Sequence, residues 1–185
     1  HTQPATIYGT NKTKDVSGGW HDAGDYGRYV VPGAKAVADL LLAYEDYSSV
    51  FNDKLGIPES GNGVPDVLDE ARYELEWLFK MQDEASGGVY HKVTGLNFDG
   101  MIMPEEAKAD LYIMPISNAA SGAFASVMAM AARIYEPFDV AFAEECLAAA
   151  KTALSYLESN PNKSGFKNPK DVSTGEYGDE NLLDE

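Results

Sequence analysis

The chain has 185 residues and a formal net charge of −16, from 30 acidic against 14 basic residues. That balance excludes nucleic acid and an anionic membrane surface as partners, because both need clustered Lys and Arg, and it leaves neutral substrates and cations open. The length suffices for one domain with a core, and no apolar run is long enough to cross a membrane.

The sequence opens on His1, and no signal-type segment follows it. The expectation is a chain processed, or cut from something longer. The first thirty residues are turn-rich and read as irregular. They contain SGGWHDAGDYGRYV at 17–30, with Asp22 and Asp25 three residues apart among glycines and aromatics. From Pro32 the pattern changes. Val37, Leu40, Leu41, Tyr44 and Tyr47 fall at helical spacing and predict a helix over roughly 33–50. The segment GIPESGNGVP ends it, and a second helix starts near Pro65 and stops before Ser86-Gly87-Gly88. Its apolar side carries Leu68, Ala71, Leu75 and Leu78, and its glutamates Glu70, Glu74 and Glu76 read as a solvated face.

GGVYHKVT, bounded by glycines, predicts a short strand or hairpin arm, with Lys92 as a loop charge. A long excursion with two prolines, MIMPEEAKADLYIMP, follows; a connection of that length is often functional. Ser117-Asn118 open a third helix over 117–135, which Pro137 breaks. Asp139 is a good N-cap for a fourth over 140–159, ended by Asn160-Pro161. Cys146 sits in its Ala-rich run and reads as a buried small apolar residue; alone, it makes no internal disulfide and no zinc cluster. The final DENLLDE reads as the start of a fifth helix. The layout is an all-α array of helix pairs.

Two carboxylates at i and i+3 converge if the backbone turns between them, and Gly24 permits such a turn. They then bind a cation, hold and deprotonate a water, share a proton, or form only an Asx-turn. The neighbouring Trp20, Tyr26 and Tyr29 suit a sugar ring.

DVSGGWHDAGDYGRYVVPGAKAVADLLLAYE resembles the signature segment of glycoside hydrolase family 9, the inverting β-1,4-glucanases. NGVPDVLDEARYELEWLFKMQ, GGVYHKVT, the Ala-rich helices and STGEYGDEN follow in that family's order. The resemblance covers essentially the whole chain. It implies part of an (α/α)6 barrel, incomplete here, and hydrolysis of β-1,4-glucosidic bonds with inversion, in cellulose or related glucans outside the cell. Asp25 matches the catalytic base and Asp22 its companion on the attacking water. Trp20 and Tyr26 flank the sugar. His91 either bonds a sugar hydroxyl or is satisfied on a strand edge. No cofactor is implied for the chemistry. A structural calcium is implied on Asp179, Glu180 and the carbonyls of Gly175 and Glu176, although Asp179 also reads as a helix cap.

The family's general acid, a glutamate near the far end of its domain, has no match. Glu105 and Glu106, in the long excursion, are the only mobile stand-ins. The expected partners are a β-glucan or cello-oligosaccharide and either the missing C-terminal part of the domain or a second copy over the open helix flanks. The competing readings are a glucan-binding piece that does not cleave and a calcium-dependent structural protein.

Overall fold

The computed structural model describes residues 4–161 and 165–178. Four long helices form the frame: α1 (Val30–Tyr47), α2 (Asp66–Met81), α3 (Asn118–Tyr135) and α4 (Val140–Ser159). All four lie close to the positions that hydrophobic spacing predicts. Their ends follow from local chemistry. The Ser117 side chain accepts from the Ala120 amide at the start of α3, and Asp139 accepts from Phe142 at the start of α4. A 3-10 turn, Ser48–Val50, extends α1.

The helices share one core. α1 packs on α2 and α3, and α3 packs on α4. Leu68, Leu75, Trp77, Leu78 and Met81 of α2 are buried with Val37 and Leu41 of α1 and Phe124 and Met128 of α3. Small residues on α4 (Ala143, Cys146, Ala150 and Ala153) permit its close approach. Cys146 is fully buried, as its Ala-rich setting predicts, and burial pushes its thiol up to about 12.

Residues 4–29 are turn-rich, as expected, but not wholly irregular. They hold three short strands, β1 (Ala5–Ile7), β2 (Thr13–Lys14) and β3 (Arg28–Tyr29). These join β5 (Lys92–Thr94) and β6 (Tyr112–Ile113) in a five-stranded sheet ordered β2-β1-β6-β5-β3. Only the β1–β6 pair is parallel. β4 (Val89–Tyr90) and β7 (Ile116–Ser117) form a separate two-stranded pair. β4 and β5 fall within GGVYHKVT, where a short strand is predicted; the other strands, of two or three residues, show no alternation to read. The sheet sets the site: β3 enters α1 directly and pairs Tyr29 with Lys92 and Arg28 with Val93.

Segment 165–178 lies over this sheet. Phe166 and Val172 bury against Met114, with Tyr8, Leu96 and Tyr112 packed beside them. The Tyr8 hydroxyl donates to Asp171, and the Ser173 amide donates to the Leu96 carbonyl. The predicted fifth-helix start, DENLLDE, lies outside the described residues.

Candidate active site

Asp22 and Asp25 occupy a tight turn between the GGW stretch and β3. The Asp25 amide donates to the Asp22 carbonyl at 3.0 Å, and the Asp22 amide donates to Gly27 at 2.9 Å, closing the loop. The left-handed residue is Ala23, with φ of 42°, rather than the expected Gly24. A positive φ on a residue with a Cβ is uncommon and concentrates at functional turns.

Each carboxylate receives a phenol. The Tyr29 hydroxyl donates to Asp25 Oδ2 at 3.0 Å, while Asp25 Oδ1 accepts the Gly27 amide. The Tyr177 hydroxyl donates to Asp22 Oδ2. The two phenol rings meet edge to face, with centroids 4.9 Å apart. One aromatic pair therefore holds both aspartates, which remain only half-buried and open to solvent on another side. The bond to Asp22 pushes Tyr177 up to about 12, so its hydroxyl keeps its proton at any working pH. Tyr177 also has a positive φ, 45°. The sequence reading places GEYGDEN at a metal and passes over this tyrosine; no local pattern links it to a turn 155 residues away.

Trp20 and Tyr26 flank the turn, as expected, but both are fastened to the protein. The Trp20 amide donates to Glu74 Oε2 at 2.6 Å and its indole N–H donates to Glu70 Oε1 at 2.9 Å. The Tyr26 hydroxyl donates to the Ile102 carbonyl, and its ring meets His21 edge to face at 5.4 Å. The Tyr26 bond ties the long excursion to the residue next to Asp25.

The expectation of a solvated glutamate face on α2 fails for Glu74, which is 1% exposed. Burial pushes its carboxyl up to about 7, against the opposing pull of the Trp20 amide and the Arg28 charge. Arg28 is equally buried. Its Nη1 donates to the carbonyls of Val16 and Gly18, and its guanidinium lies 5.8 Å from the Trp77 ring centre. Burial lowers Arg28 to about 10, so it stays cationic at neutral pH.

His91 is closed off from solvent. It is 1% exposed and stacks on Phe166, with centroids 3.8 Å apart. Nε2 lies 2.7 Å from the Glu176 carbonyl, which only accepts, so Nε2 carries the proton. Nδ1 then accepts from Ser117 Oγ at 2.7 Å. Burial lowers His91 to about 4, and the ring is neutral. The alternative of a histidine satisfied within the strand layer describes it.

Lys92 is no loop charge; it is completely buried. Its ammonium donates to Asn168 Oδ1 at 2.7 Å, Thr174 Oγ1 at 3.0 Å and the Gly175 carbonyl at 2.6 Å, with the Thr174 carbonyl further off at 3.4 Å. Burial lowers it to about 8, opposed by Glu176 and Asp25.

These contacts bear on the predicted calcium. Two of its four residues, Asp179 and Glu180, lie outside those described. The other two do not fit. The Gly175 carbonyl faces an ammonium and the Glu176 carbonyl accepts the imidazole proton. A dication on either oxygen would sit against a protein cation or a hydrogen-bond donor. The Glu176 carboxylate is turned to the Asn168 amide at 2.8 Å. Among the described residues no group of three or more His, Cys, Asp or Glu could hold a metal.

The two stand-ins for a general acid lie on the excursion. Glu105 and Glu106 sit exposed on a 3-10 turn, Pro104–Glu106, where the Glu106 carboxylate accepts the Met103 amide.

The site is thus a pair of half-buried aspartates in a tyrosine-braced turn beside a helix array. Comparison with known proteins then fixes the family. Glycosyl hydrolase family 9 matches residues 1–185, and the chain belongs to that family. It is 44% identical to endoglucanase D of Acetivibrio thermocellus over 173 residues, which is 92% of this chain and 28% of that protein. It is 36% identical to a xyloglucan-specific endo-beta-1,4-glucanase of Bacteroides ovatus, over 91% of this chain and 30% of the relative. A metagenome-derived family 9 endoglucanase structure superposes with a TM-score of 0.90 at 43% identity, covering 98% of this chain and 34% of that one. The chain thus spans about a third or less of these three relatives, and its four helices are part of an (α/α)6 barrel.

Proposed function

We propose that this chain is the N-terminal portion of a family 9 catalytic domain that hydrolyses β-1,4-glucosidic bonds, with Asp25 as general base and Asp22 as its partner on the attacking water. The observation that carries this reading is the turn itself: two half-exposed carboxylates three residues apart, each with one oxygen fixed by a tyrosine hydroxyl. With Asp25 Oδ1 also held by the Gly27 amide, the carboxylates are fixed in place while their remaining lone pairs orient a single water. In an inverting reaction that water attacks the anomeric carbon from the face opposite the leaving oxygen. The base takes its proton while a carboxylic acid roughly 6.5–9.5 Å away protonates the leaving group. We assign that acid to sequence outside this chain, since Glu74 is buried under Trp20 and Glu105 and Glu106 are exposed on the excursion.

The substrate class in this reading is a β-glucan or cello-oligosaccharide. An insoluble polymer cannot enter a cell, so secretion belongs to the same proposal. Exposed Val140, Leu147 and Leu154, seven residues apart along α4, support the view that further barrel helices pack there. Self-association over that face is the alternative, and light scattering that shows a monomer at all concentrations excludes it. The chemistry needs no cofactor. A structural calcium enters only if Lys92 and His91 release the two carbonyls, which a calcium-dependent rise in melting temperature would reveal.

The test compares Asp25→Asn with wild type in a chain that carries both this segment and the acid. Hydrolysis of a soluble mixed-linkage β-glucan should fall at least about a thousandfold, while cellotetraose binding by calorimetry stays within a few fold. Wild-type rates in Asp25→Asn would overturn the assignment.

A further inference from the structure

We propose that the buried ammonium of Lys92 is the cation that fastens segment 166–178 to the sheet and so delivers Tyr177 to Asp22, making Lys92 and Tyr177 positioning residues for the carboxylate pair. The inference rests on the reading of Asp22 and Asp25 given above.

A lysine ammonium has three protons, and Lys92 has three close oxygen partners, all from 168–175. None is a carboxylate. The ammonium is solvated by the segment as a bound metal is solvated by its loop. The partners are themselves committed: Asn168 Nδ2 donates to the Thr174 carbonyl at 2.7 Å, and Thr174 Oγ1 bonds Thr94 Oγ1 at 2.9 Å. The cage therefore has one arrangement. Its next two residues carry the consequence. The Glu176 carbonyl accepts a hydrogen bond from His91 Nε2–H, and Tyr177, held at a positive φ, reaches Asp22. The Lys92 ammonium also lies 5.5 Å from the ring centre of Tyr29, the phenol that holds Asp25. Strand register supplies the other end of the lever, because Tyr29 and Lys92 are paired residues of β3 and β5. Both phenols thus take their positions from one lysine.

The test uses Lys92→Met, Lys92→Arg and Tyr177→Phe. Amide hydrogen exchange is followed over 172–178 and over α2 and α3, and kinetics on a soluble β-glucan are measured in a chain that also carries the acid. Lys92→Met should speed exchange in 172–178 at least tenfold while α2 and α3 keep wild-type protection, and should lower kcat about tenfold with KM within twofold. Tyr177→Phe should leave exchange unchanged and give a similar fall in kcat. Lys92→Arg, which keeps the charge, should recover part of the protection. The double variant should be no slower than the worse single one. If Lys92→Met does not fold, exchange over 172–178 in Lys92→Arg tests the lysine, with wild-type protection there overturning its part, and Tyr177→Phe, which removes one oxygen from an exposed ring, tests the tyrosine. Unchanged exchange in Lys92→Met, or wild-type kcat in Tyr177→Phe, overturns the inference. Failure of the base assignment looks different: Asp25→Asn then stays active, whatever the exchange data show.

Discussion

Glu74 offers a test in which the magnitude comes directly from the structure. Its carboxyl rises from an ordinary 4.5 to about 7, because burial disfavours the charged form. At about 1.4 kcal/mol for each tenfold step, the full effect is about 3 kcal/mol. The sign follows from proton counts. Between the two values the folded chain holds a proton that the unfolded chain has released. The stabilisation is therefore complete below pH 4.5 and lost as pH rises through 7. Glu74→Gln keeps an oxygen for the Trp20 amide and cannot ionise. Urea unfolding of both proteins at pH 5 and pH 8 is the assay. Relative to wild type, the glutamine variant should gain about 2.5 kcal/mol between those pH values. The comparison must be between proteins, because His91, lowered to about 4, gives a slope of opposite sign over part of the same range. A stability difference that is constant from pH 5 to pH 8 would refute the reasoning.

Other outcomes follow from single contacts. Leu75→Ala, at a fully buried site, should cost about 2–5 kcal/mol in denaturant unfolding, whereas Leu42→Ala, at a site 46% exposed, should cost less than about 1 kcal/mol. Gly19→Ala should cost about 2–4 kcal/mol by the same measurement, since φ is +80° and the new Cβ would lie 2.5 Å from Cγ of the buried Trp77 ring. The His91 imidazole should remain neutral by NMR at pH 5.5, and its contribution to stability should fade only as pH drops from 6.5 through 4. A His91 midpoint near 6.5 would contradict the burial described here.

The helices were legible because 3.6-residue spacing and caps such as Asp139 are local signals. The aspartate pair was legible because it sits within four residues. What escaped was long-range. Glu74 reads as one more polar residue on a helix until Trp20 is laid over it, 54 positions away in sequence. Lys92 reads as a loop charge until residues 168–175 close around it. His91 keeps two readings in sequence, and only the positions of Ser117 and Glu176 decide between them. In each case the deciding partner lies at least 26 residues away, beyond any periodic pattern.

The strand order β2-β1-β6-β5-β3 also sets a schedule for folding. β1, at residues 5–7, cannot find its parallel partner until residues 112–113 exist, and β3 must wait for β5. The α3–α4 pair is local and needs no such delay. Residues 5–7, made before all four helices, are therefore among the last to be placed. The aspartate turn, which lies between two of those waiting strands, is completed only when Tyr177 arrives. A nascent chain stopped before residue 112 would carry the whole GGWHDAGDYGRY motif and still have no site.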